Sequence, residues 1–157
     1  MMAARWADIE RSLANSRLHF AMAIEAFEEV KGATSDKQRY FRRGSFMHAM
    51  LAGYTSFENA MKDLTGLLEE PLPAGHDWHR ALIERLAAPL AGQRPAVLDD
   101  ERLVIAIDAL RGFRHVAAHA YDRFDDDRAA VAASKAGVFL DGIGPALARF
   151  RAVIDPD

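Results

Sequence analysis

Residues 47–68 read MHAMLAGYTSFENAMKDLTGLL. Met47, Met50, Tyr54, Phe57, Met61, Leu64 and Leu68 follow one another at steps of 3, 4, 3, 4, 3 and 4. That rhythm is a heptad seam about three heptads long, and Tyr40 extends it backwards by one heptad. Such a seam asks for antiparallel neighbours at shallow crossing angles, as in an up-and-down bundle. The methionines in it read as core filler, because a flexible thioether fits irregular gaps.

The pattern on either side is also helical, and no stretch alternates with period two. Residues 5–31 carry Trp6, Ile9, Leu13, Phe20, Ile24 and Phe27 at helical spacing. Gly32 then offers a C-terminal cap, and Ser35 with Gln38 has capping-box spacing for the next helix. A proline-rich loop, EEPLPAGHD, follows the seam. Asp77 is placed to cap a short third helix with Trp78, Leu82, Ile83 and Leu86 on its buried side. Asp99 or Asp100 can cap a fourth helix, and Asp126 or Asp127 a fifth that runs to about residue 154. Pro145 lies inside that last helix, lacks an N–H and predicts a kink or break near 142–145. The sum is an all-α chain of about five helices, with no repeat and no linker. Residues 1–157 are expected to form a single domain.

Composition narrows the function classes. Half of the 157 residues are hydrophobic and 27% are charged, as in ordinary globular proteins. There is no cysteine, hence no disulfide framework and no thiolate metal site. The opening residues hold no signal-peptide core, and no run approaches the roughly 18 apolar residues of a membrane span. A cytoplasmic protein without membrane attachment is expected. The net charge of −3 argues against a broad non-specific coat on nucleic acid, though a local basic site remains compatible with it.

The chemistry concentrates in RHVAAHAY, residues 114–121. Leu103, Ile107 and Leu110 form the apolar stripe of the fourth helix, and continuing their rhythm reaches Arg114, Ala117 and Tyr121. Arg114 therefore stands at a station that calls for a hydrophobe. A buried guanidinium without a counter-charge is costly, so Arg114 needs a carboxylate or a cleft where an anion reaches it. His119 lies about 140° round an ideal helix from Arg114. Asp108, Arg111, His115 and His119 make a second, polar stripe. An ordinary histidine titrates near pH 6.5 and suits general acid–base work, and an arginine fork matches non-bridging phosphate oxygens.

Arg-x4-His occurs twice, at 114/119 and at 43/48, where about 0.6 copies arise by chance from this composition. Requiring Tyr two places later lowers that expectation to about 0.01, and only the 114–121 copy passes. The 43/48 copy reads as coincidence. RHVAAHAY resembles the R-x-x-x-x-H-x-Y motif of HepT-type toxins in the HEPN superfamily, and LRGFRHVAAHAYD and GHDWHRALIERLA look similar in context.

The resemblance implies a HEPN-type up-and-down helical bundle that forms a homodimer and brings two motifs into one cleft. It implies a metal-independent endoribonuclease toxin without a cofactor, acting on an RNA substrate. Its partner would be an MNT-type nucleotidyltransferase antitoxin that silences it by adding AMP to the motif tyrosine. By position the catalytic pair is Arg114 and His119, and the modified residue is Tyr121. Arg111, His115 and Asp122 are possible supporting residues.

Two alternatives stand beside this. One is a non-catalytic HEPN module that binds a nucleotidyltransferase or RNA. The other is a helical metal protein built on His115 and His119, for which the sequence supplies no obvious third ligand.

Overall fold

The computed structural model describes residues 2–119 and 122–156. These form five helices: α1 (Met2–Lys31), α2 (Asp36–Leu67), α3 (Trp78–Ala87), α4 (Glu101–His119) and α5 (Asp126–Ile154). The directions of the long helices follow from which residues meet. Between α1 and α2, Ser16 meets Gly53, His19 meets His48 and Phe27 meets Phe46, so the residue number falls on one helix as it rises on the other. The pairs Glu10 with Arg151 and Phe20 with Phe139 make α1 and α5 antiparallel in the same way. Helix α4 packs against both α2 and α5, which closes a ring of four helices, and α3 leans on α4. This is an all-α up-and-down bundle.

The seam of α2 faces the middle of that ring. Met50, Tyr54, Phe57, Met61 and Leu64 are buried, while Met47 and Leu68 at its ends are partly covered. Phe139 of α5 spans the diagonal: its ring stands 4.9 Å from Phe20 and 5.4 Å from Phe57, at the steep angles aromatic edges and faces prefer. Tyr40, expected to extend the seam, lies in solvent, at the open groove between the start of α2 and the end of α4.

Helices α1 and α2 approach closely at Gly53. A Cβ built there would sit 3.0 Å from the ring of fully buried Phe20. One turn back on α1, Ser16 donates a 2.7 Å hydrogen bond to the Gly53 carbonyl. Gly142 does the same service for α4 and α5, where a Cβ would meet Leu103 at 3.2 Å.

Helix ends follow the expected chemistry with shifts of a residue. Ser35 accepts from the Gln38 amide, but the Gln38 side chain reaches back to the amide of Thr34 rather than to Ser35. Asp100, not Asp99, caps α4, accepting from the amides of Arg102 and Leu103. Asp99 is freed to hold Arg149 of α5, and that guanidinium keeps its carboxyl below the usual carboxylate range. For α5 the cap is Asp125, one residue before those expected, and Asp126 and Asp127 sit in the first turn beside the positive end of the helix dipole. Asp77 precedes α3 without a side-chain cap bond. Gly32 ends α1 without adopting a left-handed conformation.

Helix α5 is not broken at Pro145. Pro145 and Asp141, whose carbonyl loses its partner, both lie on the solvent side, where water can satisfy that oxygen. The loop before α4 is pinned by Arg94, a buried side chain paired with Glu70 and donating to the carbonyls of Ala88 and Pro95. Among the described residues no helix is long and apolar enough to cross a membrane.

Gly53→Ala is expected to lower stability by about 1–3 kcal/mol, the usual cost of overpacking a closed core. Gly137→Ala, on α5 where nothing lies within 4 Å of the new methyl, should raise it by about 0.5–1 kcal/mol. Urea unfolding of the two variants measures both, and equal effects would contradict the close approach at Gly53.

Candidate functional site

The second half of α4 carries the candidate residues. Its apolar stripe, Leu103, Ile107, Leu110, Phe113 and Ala117, is buried against the bundle. Arg114 lies beside this stripe and is half-buried. Its Nε is shut off from solvent and finds no acceptor among the described residues. The helix continues without fraying to His119, which is exposed in the last turn. Arg114 therefore faces inward and His119 outward, and the described residues show no hydrogen bond between them.

The polar stripe forms as spaced. Arg111 donates to Asp108 at 2.9 Å, an ordinary i,i+3 pair along the helix surface. The rings of His115 and His119 stack obliquely with centroids 4.7 Å apart. Both are exposed, as is Asp122 beyond the helix end. Tyr121 and Ala120 lie outside the described residues. No group of three histidine, aspartate or glutamate side chains among the described residues could hold a metal ion.

Beneath the arginines lies a residue the motif does not name. Tyr54, on the α2 seam, is buried, and burial pushes its phenol well above the ordinary value near 10. The carboxylate of Glu58, one turn further along α2, pushes in the same direction. Arg111 and Arg114 pull the other way, so both cations act on this phenol from the α4 side. Glu58 is itself buried and bonded to Nδ1 of His79 on α3. His79 is thus a partner of a buried carboxylate. The signal for this in the sequence was Glu58, an acid set in the apolar run of α2, which had to find a cation or donor.

A groove of about 790 Å³ opens on the other side of the motif. Ala117 and Asp122 line one wall, and Arg39, Tyr40, Arg43 and His48 of α2 the other.

Residues 45–154, from α2 through nearly all of α5, match the family model of HepT-like proteins. The chain belongs to the HepT-like family. HepT-like proteins are members of the HEPN superfamily, and the all-α bundle is that of a HEPN-type module. No curated protein and no solved structure matches this HepT-like chain.

The Tyr54 phenol gives a pH test of this geometry. Its folded-state pKa is raised, so it costs nothing below pH 10 and removes stability as pH rises above 10, where the unfolded chain gives up a proton the folded chain keeps. Tyr54→Phe is expected to blunt the alkaline loss, measured as urea-unfolding free energy at pH 8 and above 10. A variant that loses stability in parallel with wild type would place Tyr54 in a more polar setting.

Proposed function

We propose that this HepT-like chain is a metal-independent endoribonuclease toxin of a HEPN/MNT-type toxin–antitoxin system. The whole chain is taken as one domain, acting as a homodimer in the cytoplasm. The observation that carries the reading is Arg114, a half-buried guanidinium at the edge of the apolar face of α4, with an Nε that has no acceptor among the described residues. The guanidinium is only half-buried and pairs with no carboxylate among the described residues, and a phosphate at its terminal nitrogens supplies the counter-charge.

RNA brings its own nucleophile, so the protein need only move protons and stabilise charge on phosphorus. Arg114 holds the non-bridging oxygens through parallel N–H bonds. His119 takes the proton from the 2′-OH as that oxygen attacks phosphorus and the bond to the 5′-oxygen breaks. A second histidine must protonate the leaving oxygen. In one chain Arg114 and His119 face apart, and a two-fold interface over α4 supplies the second proton carrier as His119 of the partner subunit. The products are a 2′,3′-cyclic phosphate and a 5′-hydroxyl. His115, against the His119 ring, and Arg111 support the site, and Asp122 lies at its edge. An MNT-type nucleotidyltransferase antitoxin adds AMP to Tyr121, putting bulk and negative charge where the RNA phosphate has to sit.

Incubation of unmodified protein with RNA in excess EDTA tests this. Wild type is expected to cut and leave cyclic phosphate ends. Arg114→Ala and His119→Ala should each lose at least about 100-fold in rate, as for loss of a proton carrier or an oxyanion donor, with circular dichroism unchanged. Protein carrying AMP on Tyr121 should be inactive. Absence of cleavage by wild type would leave a binding module, and full activity in either variant would remove that residue from the mechanism.

A further inference from the structure

Residues 39–43 read RYFRR. Heptad rhythm assigned Tyr40 to the core, but it is 77% exposed and its neighbour Phe41 is 59% exposed. The two rings meet edge to face with centroids 5.9 Å apart. Two adjacent aromatics left in water on a helix surface are a patch that a ligand can cover.

The arginines around them are unequally engaged. Arg42 is tied to the Glu29 carbonyl at 2.7 Å and helps close the turn between α1 and α2. Arg39 pairs with Asp36 on the helix surface, a contact of little strength in water. Arg43 lies over the Phe124 ring at 4.7 Å, with Asp126 a long 3.6 Å away. Its Nε, like that of Arg114, is buried without an acceptor among the described residues. Arg39 and Arg43 are one helical turn apart and line the same groove as Tyr40. The carboxylates of Asp36 and Asp122 also line that groove, so its charge is mixed and its cations are few and directed.

We propose that residues 39–43 are the strand-binding arm of the ribonuclease cleft. Bases of single-stranded RNA stack on Tyr40 and Phe41, and Arg39 and Arg43 hold phosphates next to the one at Arg114. The proposal rests on the ribonuclease reading. Interleaved arginines and exposed aromatics suit a single strand, because every base offers a π face and every linkage a charge. A protein partner would use similar residue types. The groove ends on the motif helix at Ala117, where a substrate strand has to pass, and this favours RNA.

The test uses full-length protein carrying His119→Ala, which binds without cutting, and fluorescein-labelled single-stranded RNA followed by anisotropy. Tyr40→Ala with Phe41→Ala is expected to weaken binding at least about tenfold. Arg39→Ala with Arg43→Ala should weaken it and flatten the salt dependence by about 0.7 in log–log slope per lost phosphate contact. Tyr40→Trp with Phe41→Trp should keep the affinity, since stacking asks for a π face and not a given ring. With His119 intact, the alanine pairs should raise KM and leave kcat in place. Wild-type affinity in both alanine pairs, in a protein that cleaves RNA, would overturn the arm and leave the ribonuclease reading standing. Loss of the dimer by light scattering in those variants would assign the patch to a self-interface instead. Wild type that neither binds nor cuts RNA would overturn both readings together.

Discussion

The ring of Phe20 lies against the bare backbone of Gly53, and the rest of the bundle is set by that contact. It brings α1 and α2 so close that a methyl at residue 53 would press on the Phe20 ring, and Ser16 bonds the Gly53 carbonyl beside it. With α1 seated there, the Phe20 ring reaches Phe139, and α5 closes the far side of the ring. The α2 seam then has one face left to fill, and α4 fills it with Leu103, Ile107, Leu110 and Phe113. The direction of α4 decides what its last two turns touch.

Those turns carry a charge into a packed region. Arg114 is tolerated because it is only half-buried and because its surroundings are not purely apolar. Tyr54 lies close enough for its phenol to feel both Arg111 and Arg114, and Glu58 stands a turn away with its own donor in His79. Desolvating a cation without a close carboxylate still costs free energy, and it leaves Arg114 with capacity to bind an anion. Arg43 repeats this on α2 at smaller scale, cushioned by Phe124. Two guanidinium groups whose Nε finds no acceptor among the described residues, on neighbouring helices, give the molecule an anion-seeking edge despite its net charge of −3.

Much of this was legible in the residues. The seam from Met47 to Leu68 gave the bundle because burial in a helix repeats with a period the sequence displays. Arg114 stood out as a charge on an apolar stripe, but Phe113 takes the buried station and Arg114 lies beside it, half-buried. What escaped depended on distances between helices. Tyr40 kept the heptad rhythm, but rhythm does not report whether a neighbouring helix reaches that far, and Tyr40 faces an open groove beside the end of α4. Asp125 won the α5 cap over two adjacent aspartates because its backbone is extended there, a choice equal residue types cannot reveal. The pairs of Glu58 with His79 and Glu70 with Arg94 join residues more than 20 positions apart, a link that sequence spacing does not encode. Pro145 predicts a break by its missing N–H and its ring, while the exposure of Asp141 lets water take the freed carbonyl as the helix goes on.

The most direct measurement is the side-chain Nε–H resonance of Arg114 in isotopically labelled protein carrying His119→Ala, assigned by its loss in Arg114→Lys. It would be followed while a short single-stranded RNA is added. If Arg114 is the anion seat, that resonance moves and saturates together with binding, as the guanidinium that carries it acquires a phosphate. A resonance that stays fixed while the RNA saturates the protein would contradict it, and would make Arg114 a structural cation with no part in holding the substrate.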